Sequence, residues 1–202
     1  MSPLETLLQA LSALASDPQR ERILVRDILG ATQGQAIAAM MLLFALPNAL
    51  PMPPGTSAIL GTPLLLLSLQ LMLGIKPWLP RAIAARSLPK QSLLDMLARA
   101  APWSHQAQVL LKPRWRPLTG TVAMRGIGAV CSVLATIVVL PIPLGNMLPA
   151  LAISVIALGM LQRDGVWVLA GTAIGAASVA LVAGVAYALV KAGASLLLQL
   201  AG

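Results

Sequence analysis

Three windows of the chain carry no Asp, Glu, Lys, Arg or His: 28–75, 126–162 and 165–190, of 48, 37 and 26 residues. A helix that crosses a bilayer needs about 20 mainly apolar residues. The first two windows can therefore each hold a pair of helices, and the third holds one. The first two windows are also interrupted in the same way, at Leu50-Pro51-Met52-Pro53-Pro54-Gly55 and at Leu140-Pro141-Ile142-Pro143-Leu144-Gly145. Proline lacks an N–H and pushes the residue before it out of the α region, so each Pro-x-Pro stops a helix. The following glycine lets the backbone turn and a helix resume. A shift of 90 positions superimposes Pro51 on Pro141, Pro53 on Pro143 and Gly55 on Gly145 without a gap. Polar residues suited to capping the next helix come directly after: Thr56 and Ser57 in one copy, Asn146 in the other. Each copy reads as half-helix, broken linker, capped helix.

The remaining elements follow from the same pattern. Leu4, Leu7, Leu8, Leu11 and Leu14 recur at helical spacing, which predicts an amphipathic helix over 3–16 lying on the membrane or packed under the bundle. Asp17-Pro18 opens a second helix with Arg20, Glu21, Arg22, Arg26 and Asp27 on its polar side. Residues 31–46 form a short apolar helix, and Thr56–Gly74 a longer one with Pro63 near its start. Lys76-Pro77-Trp78-Leu79-Pro80-Arg81 makes a rigid exit. Within the linker that follows, 91–101 is an amphipathic surface helix. A second pair of helices flanks Pro141, and the last span, Val166–Val190, carries Gly171, Gly175, Ala176, Ser178 and Gly184, small enough to admit a close neighbour. This divides the chain into N-terminal amphipathic helices (1–30), a first broken-helix repeat (31–80), a basic linker (81–116), a second repeat with its following span (117–190) and a tail (191–202).

Composition sets this pattern in a membrane. The chain is 58% hydrophobic and 10% charged with a mean hydropathy of +0.86, whereas soluble domains are about 25% charged. The net charge of +8 does not read as a nucleic-acid footprint, because the cations flank apolar windows. Seven basic residues (Arg81, Arg86, Lys90, Arg99, Lys112, Arg114, Arg116) against Asp95 alone place the linker on the cytoplasmic side. Trp78, Trp103 and Trp115 fall in the same basic region, where interfacial anchors belong. Basic residues on both sides of the first broken unit make that unit a hairpin. If the second did the same the repeats would be parallel. Analogy with broken-helix transporters favours inverted repeats instead. The expected fold is thus an all-α integral membrane protein with two broken-helix, re-entrant-like repeats, read as inverted, plus a C-terminal transmembrane helix and amphipathic surface helices.

Two helices starting beside the breaks would aim free N–H groups and positive dipole ends at one interior point, an arrangement suited to an anion. The candidate binding residues are Pro51, Pro53, Gly55, Thr56 and Ser57 in one half, Pro141, Pro143, Gly145 and Asn146 in the other, and Gln70 in the helix between. The competing reading gives the prolines and glycines a packing role only. For Gln70 an interhelical hydrogen bond is the stronger reading. Arg125 reads as a residue reaching for lipid headgroups, Arg163-Asp164 as a solvated turn, and Asn48 as a partner for backbone groups freed by the first break. Cys131 is alone, so neither a disulfide nor a cysteine metal site is expected. His105 has no companion ligand, and no nucleophile–base pair or paired carboxylate occurs inside an apolar window. No catalytic residue, metal or cofactor is expected, and the chain is not read as an enzyme.

The first break with Gly61-Thr62-Pro63-Leu64, Gln70, Gly74 and Pro77-Trp78-Leu79-Pro80, and the second with Asn146, Leu158-Gly159 and Arg163-Asp164-Gly165, resemble the exopolysaccharide synthesis ExoD family over about residues 20–190. The resemblance implies a multi-pass protein of the bacterial inner membrane linked to exopolysaccharide production, and it supplies no molecular activity. Two functions are open. One is a small transporter or flippase-like protein for an anionic or lipid-linked saccharide. The other is a scaffold that docks polymer-synthesis enzymes through the basic linker. Membrane lipids and a second copy of the chain, in a homodimer, are the expected partners.

Overall fold

The computed structural model describes residues 22–24, 36–50, 56–75, 77–78, 87–89, 120–140 and 145–201, with single positions in 9–16, 91–98 and at 115. Five long helices dominate them: α1 (Ala36–Asn48), α2 (Thr56–Leu73), α3 (Thr121–Val139), α4 (Met147–Gln162) and α5 (Gly165–Ala201). Two of them contain stretches long and apolar enough to cross a membrane, Val122–Val139 and Gly165–Ala192. The helical class expected from the pattern holds, with one small addition. Arg22–Leu24 (β1) pairs antiparallel with Ser87–Pro89 (β2), Ile23 facing Leu88. That ladder replaces helix at 22–24, and it ties the segment before α1 to the linker after α2.

Both expected interruptions separate helices. α1 closes with the Leu50 N–H donating to the Pro47 carbonyl at 3.1 Å, and α2 starts at Thr56. Leu140 after α3 is extended (φ −68°, ψ 132°), the conformation that a following proline imposes. α2 and α4 then end alike. Gly74 (φ +69°) and Arg163 (φ +54°) are left-handed, and the N–H one residue later returns to a carbonyl five residues back, Ile75 to Gln70 at 3.1 Å and Asp164 to Gly159 at 2.8 Å. This is the six-to-one closure that satisfies the last helical carbonyls. The Asp164 carboxylate next accepts the Val166 N–H at 3.0 Å and so opens α5. α5 runs past Val190 to Ala201, further than the sequence places its end.

The direction of each helix is fixed by close contacts. A Cβ on Gly61 would lie 3.1 Å from Val139 Cγ2, and one on Gly128 only 2.3 Å from the Met72 backbone nitrogen. The start of α2 therefore lies on the end of α3 and the end of α2 on the start of α3, so the two are antiparallel. α4 and α5 are antiparallel by the same test, Gly159 against Val168 and Gly171 against Ile156. Gly175 of α5 meets Leu134 of α3, and α3 also packs on α4. The α4–α5 register puts Gly175 level with about Ala152, so the end of α3 lies beside the start of α4 and the two are antiparallel. α1 packs on both α2 and α4.

The inverted arrangement expected for the two units is not shown by this geometry: α2 and α3 are antiparallel, and the helix ends that flank both interruptions stand at one end of the bundle. Between the ends, Met40, Met41, Leu64, Leu67, Leu134 and Ile153 are fully buried. Leu11 and Ala15, one turn apart, join the same core, so the N-terminal helix packs against the bundle.

Candidate functional site

The interrupted end gathers the last turns of α1 and α3 and the first turns of α2 and α4. Gly61 is five residues into α2 and touches the last residue of α3. Thr56 is then only about 7 Å further along, at about 1.5 Å per residue. The helix ends that flank the two breaks consequently share one region. Pro51, Pro53, Gly55, Pro141 and Pro143 lie outside the described residues. Of the others, Thr56 begins α2, Ser57 is half-buried, Gly145 is in the turn before α4 and Asn146 is buried.

Asn146 does not cap the helix that follows it. Its side chain makes no capping bond to α4. Instead its amide nitrogen donates backward to the carbonyls of Val138 at 3.1 Å and Leu140 at 3.0 Å. It thus closes the end of α3, and the first turn of α4 keeps its N–H groups free of a side-chain cap. With Pro149 in that turn one of those donors never existed, so the Met147 and Leu148 N–H groups remain.

Asn48, at the end of α1, likewise spends its amide nitrogen on the Phe44 carbonyl at 2.9 Å. In both asparagines the nitrogen is committed to a carbonyl, so the side-chain oxygen is identified by its partners and not by assignment. Both oxygens are buried and accept no hydrogen bond within the protein. A third such atom is Ser178 Oγ. Continuing the α4–α5 register from Gly171 places Ser178 level with the first turn of α4. Other buried serines, Ser132 and Ser154, donate to carbonyls one turn back at 2.8 Å. Three of the four unpartnered buried polar atoms among the described residues therefore stand at the interrupted end. The fourth, Gln162 Nε2, is at the other. Sequence reading gave Asn48 and Ser178 only structural roles. Their one signal was polarity inside an apolar window.

Gln70 does not belong to this site. It sits fourteen residues beyond Thr56, about 21 Å along α2, and its side-chain amide pairs with the Trp78 backbone in both directions. Oε1 accepts the Trp78 N–H at 2.8 Å and Nε2 donates to the Trp78 carbonyl. The residue thereby folds the Pro77-Trp78 exit onto the end of α2, a local bond in place of an interhelical one. Arg125 lies over Gly74, its guanidinium where a Cβ would come within 3.0 Å, so it covers the carbonyl end of α2, where a cation is favoured. Trp78 and Trp115 are exposed in this same half of the sequence pattern. Asp164 is buried at the α4–α5 turn, not solvated as the sequence suggested. His105 and most of the basic linker lie outside the described residues; Gln91, Leu94 and Ala98 within 91–101 are helical and exposed. Among the described residues no cluster of three His, Cys, Asp or Glu could hold a metal ion.

Residues 7–184 match the family model for exopolysaccharide synthesis, ExoD. The chain is 29% identical over 171 residues to "Protein ExoD" of Rhizobium meliloti (strain 1021), covering 82% of this chain and 71% of that one. It is also 27% identical over 146 residues to an uncharacterized protein of Synechocystis sp., covering 69% of this chain and 67% of the other. No solved structure matches significantly.

Proposed function

Because the chain belongs to the exopolysaccharide synthesis ExoD family, we propose that it is a multi-pass protein of the bacterial inner membrane that moves an anionic or lipid-linked saccharide precursor, as a small transporter or flippase. The observation that carries this reading is the meeting of both interruptions at one end of the bundle. Corresponding breaks in two halves of a membrane protein are where such folds bind substrate. The uncapped first turn of α4 supplies donors for an acidic group.

Depth supports the same reading. The uncharged stretch 165–190 of α5 is centred on Ala177-Ser178, level with the first turn of α4. If α5 crosses the bilayer, the interrupted end comes near the midplane. The two hairpins are then re-entrant repeats that enter from the basic side, related by an axis along the membrane normal. The paired closures at Gly74 and Arg163, one residue apart in the 90-residue register, favour that repeat. Headgroup contacts fall to the basic end. A homodimer would form through the outer part of α5, where Leu181, Val185 and Val190 are exposed; Gly171 and Gly175 are already taken by α4 and α3. We assign no catalytic step.

The second reading, a scaffold for polymer-synthesis enzymes, rests on the basic linker. Reconstitution separates the two. Purified protein in liposomes should move a fluorescent lipid-linked saccharide, and replacing Gly55 and Gly145 together by leucine should abolish both that movement and polysaccharide output while membrane insertion persists. Wild-type protein that moves nothing, with output sensitive only to neutralising Arg81, Arg86, Arg99, Arg114 and Arg116, would favour the scaffold.

A further inference from the structure

The geometry points to a binding site for a monovalent alkali cation at the interrupted end, formed by Asn48 Oδ1, Asn146 Oδ1 and Ser178 Oγ. The three oxygens are buried, with their residues 2%, 7% and 1% exposed, and none has a hydrogen-bond partner within the protein. A buried acceptor left without a partner is destabilising, so three at one end of one bundle form a set that a ligand would stabilise. Their elements adjoin. α1 and α5 both pack on α4, Asn146 immediately precedes α4, and Ser178 is level with its first turn.

The chemistry of the set selects the ligand. The two asparagine oxygens are amide carbonyls and can only accept, and the bonds of their nitrogens to the carbonyls of Phe44, Val138 and Leu140 fix which way each amide is turned. The serine hydroxyl can accept as well. A ligand that satisfies all three is an electron-pair acceptor, and hard cations take such oxygens. The carbonyl ends of α1 and α3 stand here beside the N–H ends of α2 and α4, so the helix dipoles largely offset one another and the choice of a cation rests on the three acceptor oxygens. Every donor is neutral, which suits a single charge and leaves a divalent ion uncompensated. The ion site does not require that the protein transport anything, so it stands apart from the function proposed above.

The test uses the full chain in nanodiscs at constant ionic strength, with choline, Na⁺, K⁺ or Mg²⁺ as the cation and thermal unfolding and ²²Na⁺ binding as readouts. Na⁺ at about ten times its Kd should raise the midpoint by about 3–6 °C over choline, and ²²Na⁺ should bind saturably. Ser178→Ala removes an oxygen that bonds nothing else in the protein, so it should fold normally in choline and weaken Na⁺ binding about tenfold or more. Asn146→Ala also unties α3, so its loss of binding counts only if its helicity is intact. Midpoints in both Na⁺ and K⁺ identical to that in choline, a response confined to Mg²⁺, or undiminished ²²Na⁺ binding by Ser178→Ala would each overturn the site.

Discussion

At the scale of single residues, polar side chains in this protein act mostly on the backbone of their own surroundings. Gln70 illustrates it, since both polar atoms of its amide are used by Trp78. Gln70→Leu should cost about 1–2 kcal/mol for the two lost bonds. Hydrogen exchange reads the effect directly, because the Trp78 N–H should lose its protection while the amides of α3 keep theirs. An unchanged Trp78 amide would separate that residue from Gln70. The partner could not be read from the sequence. Gln70 lies among leucines, and only the left-handed turn at Gly74 brings a residue eight positions later within reach. Asn146 misleads for the same reason. Its position after a glycine and before an apolar run is that of an N-cap, but the turn makes the carbonyls behind it nearer than the N–H groups ahead.

At the scale of helices, the pairs are set by how closely backbones approach. α3 meets α2 at Gly128, where even one methyl would sit 2.3 Å from the Met72 nitrogen. Backbone cannot rotate away as a side chain can. Gly128→Ala should therefore destabilise by about 3 kcal/mol or more. Gly126→Ala, two residues earlier with nothing within 4 Å, should be neutral or stabilising by about 0.5–1 kcal/mol. Denaturant unfolding in detergent compares the two, and equal effects would contradict the α2–α3 contact. The helices themselves were legible in the sequence, because Pro51 and Pro141 act on the residue before them whatever the tertiary fold. The direction of the second pair was not, since it depends on the side to which the linker returns. The end of α5 was misjudged at Lys191, an ordinary helix former. The β1–β2 pairing joins residues more than sixty positions apart, beyond any local pattern.

At the scale of the whole molecule, the helix ends flanking both interruptions share one end of the bundle, and among the described helices α5 alone continues past it. α5, with 37 residues, is about 55 Å long against about 24 Å for α4. The N-terminus and the linker should thus share the cytoplasm, with the C-terminus across the membrane. A fluorescent-protein fusion within the linker should glow and an alkaline phosphatase fusion after Ala201 should be active. The reverse result at either position would contradict this topology.

All of this depends on the two interruptions sharing one end of the bundle, and a cysteine cross-link tests that directly. With Cys131 replaced by serine, Gly61→Cys with Val139→Cys should form a disulfide readily on mild oxidation, since the glycine position faces the valine side chain at 3.1 Å. Leu73→Cys with Val139→Cys, at opposite ends of the bundle, should not. Cross-linking of the second pair without the first would place the breaks at opposite ends and contradict the account.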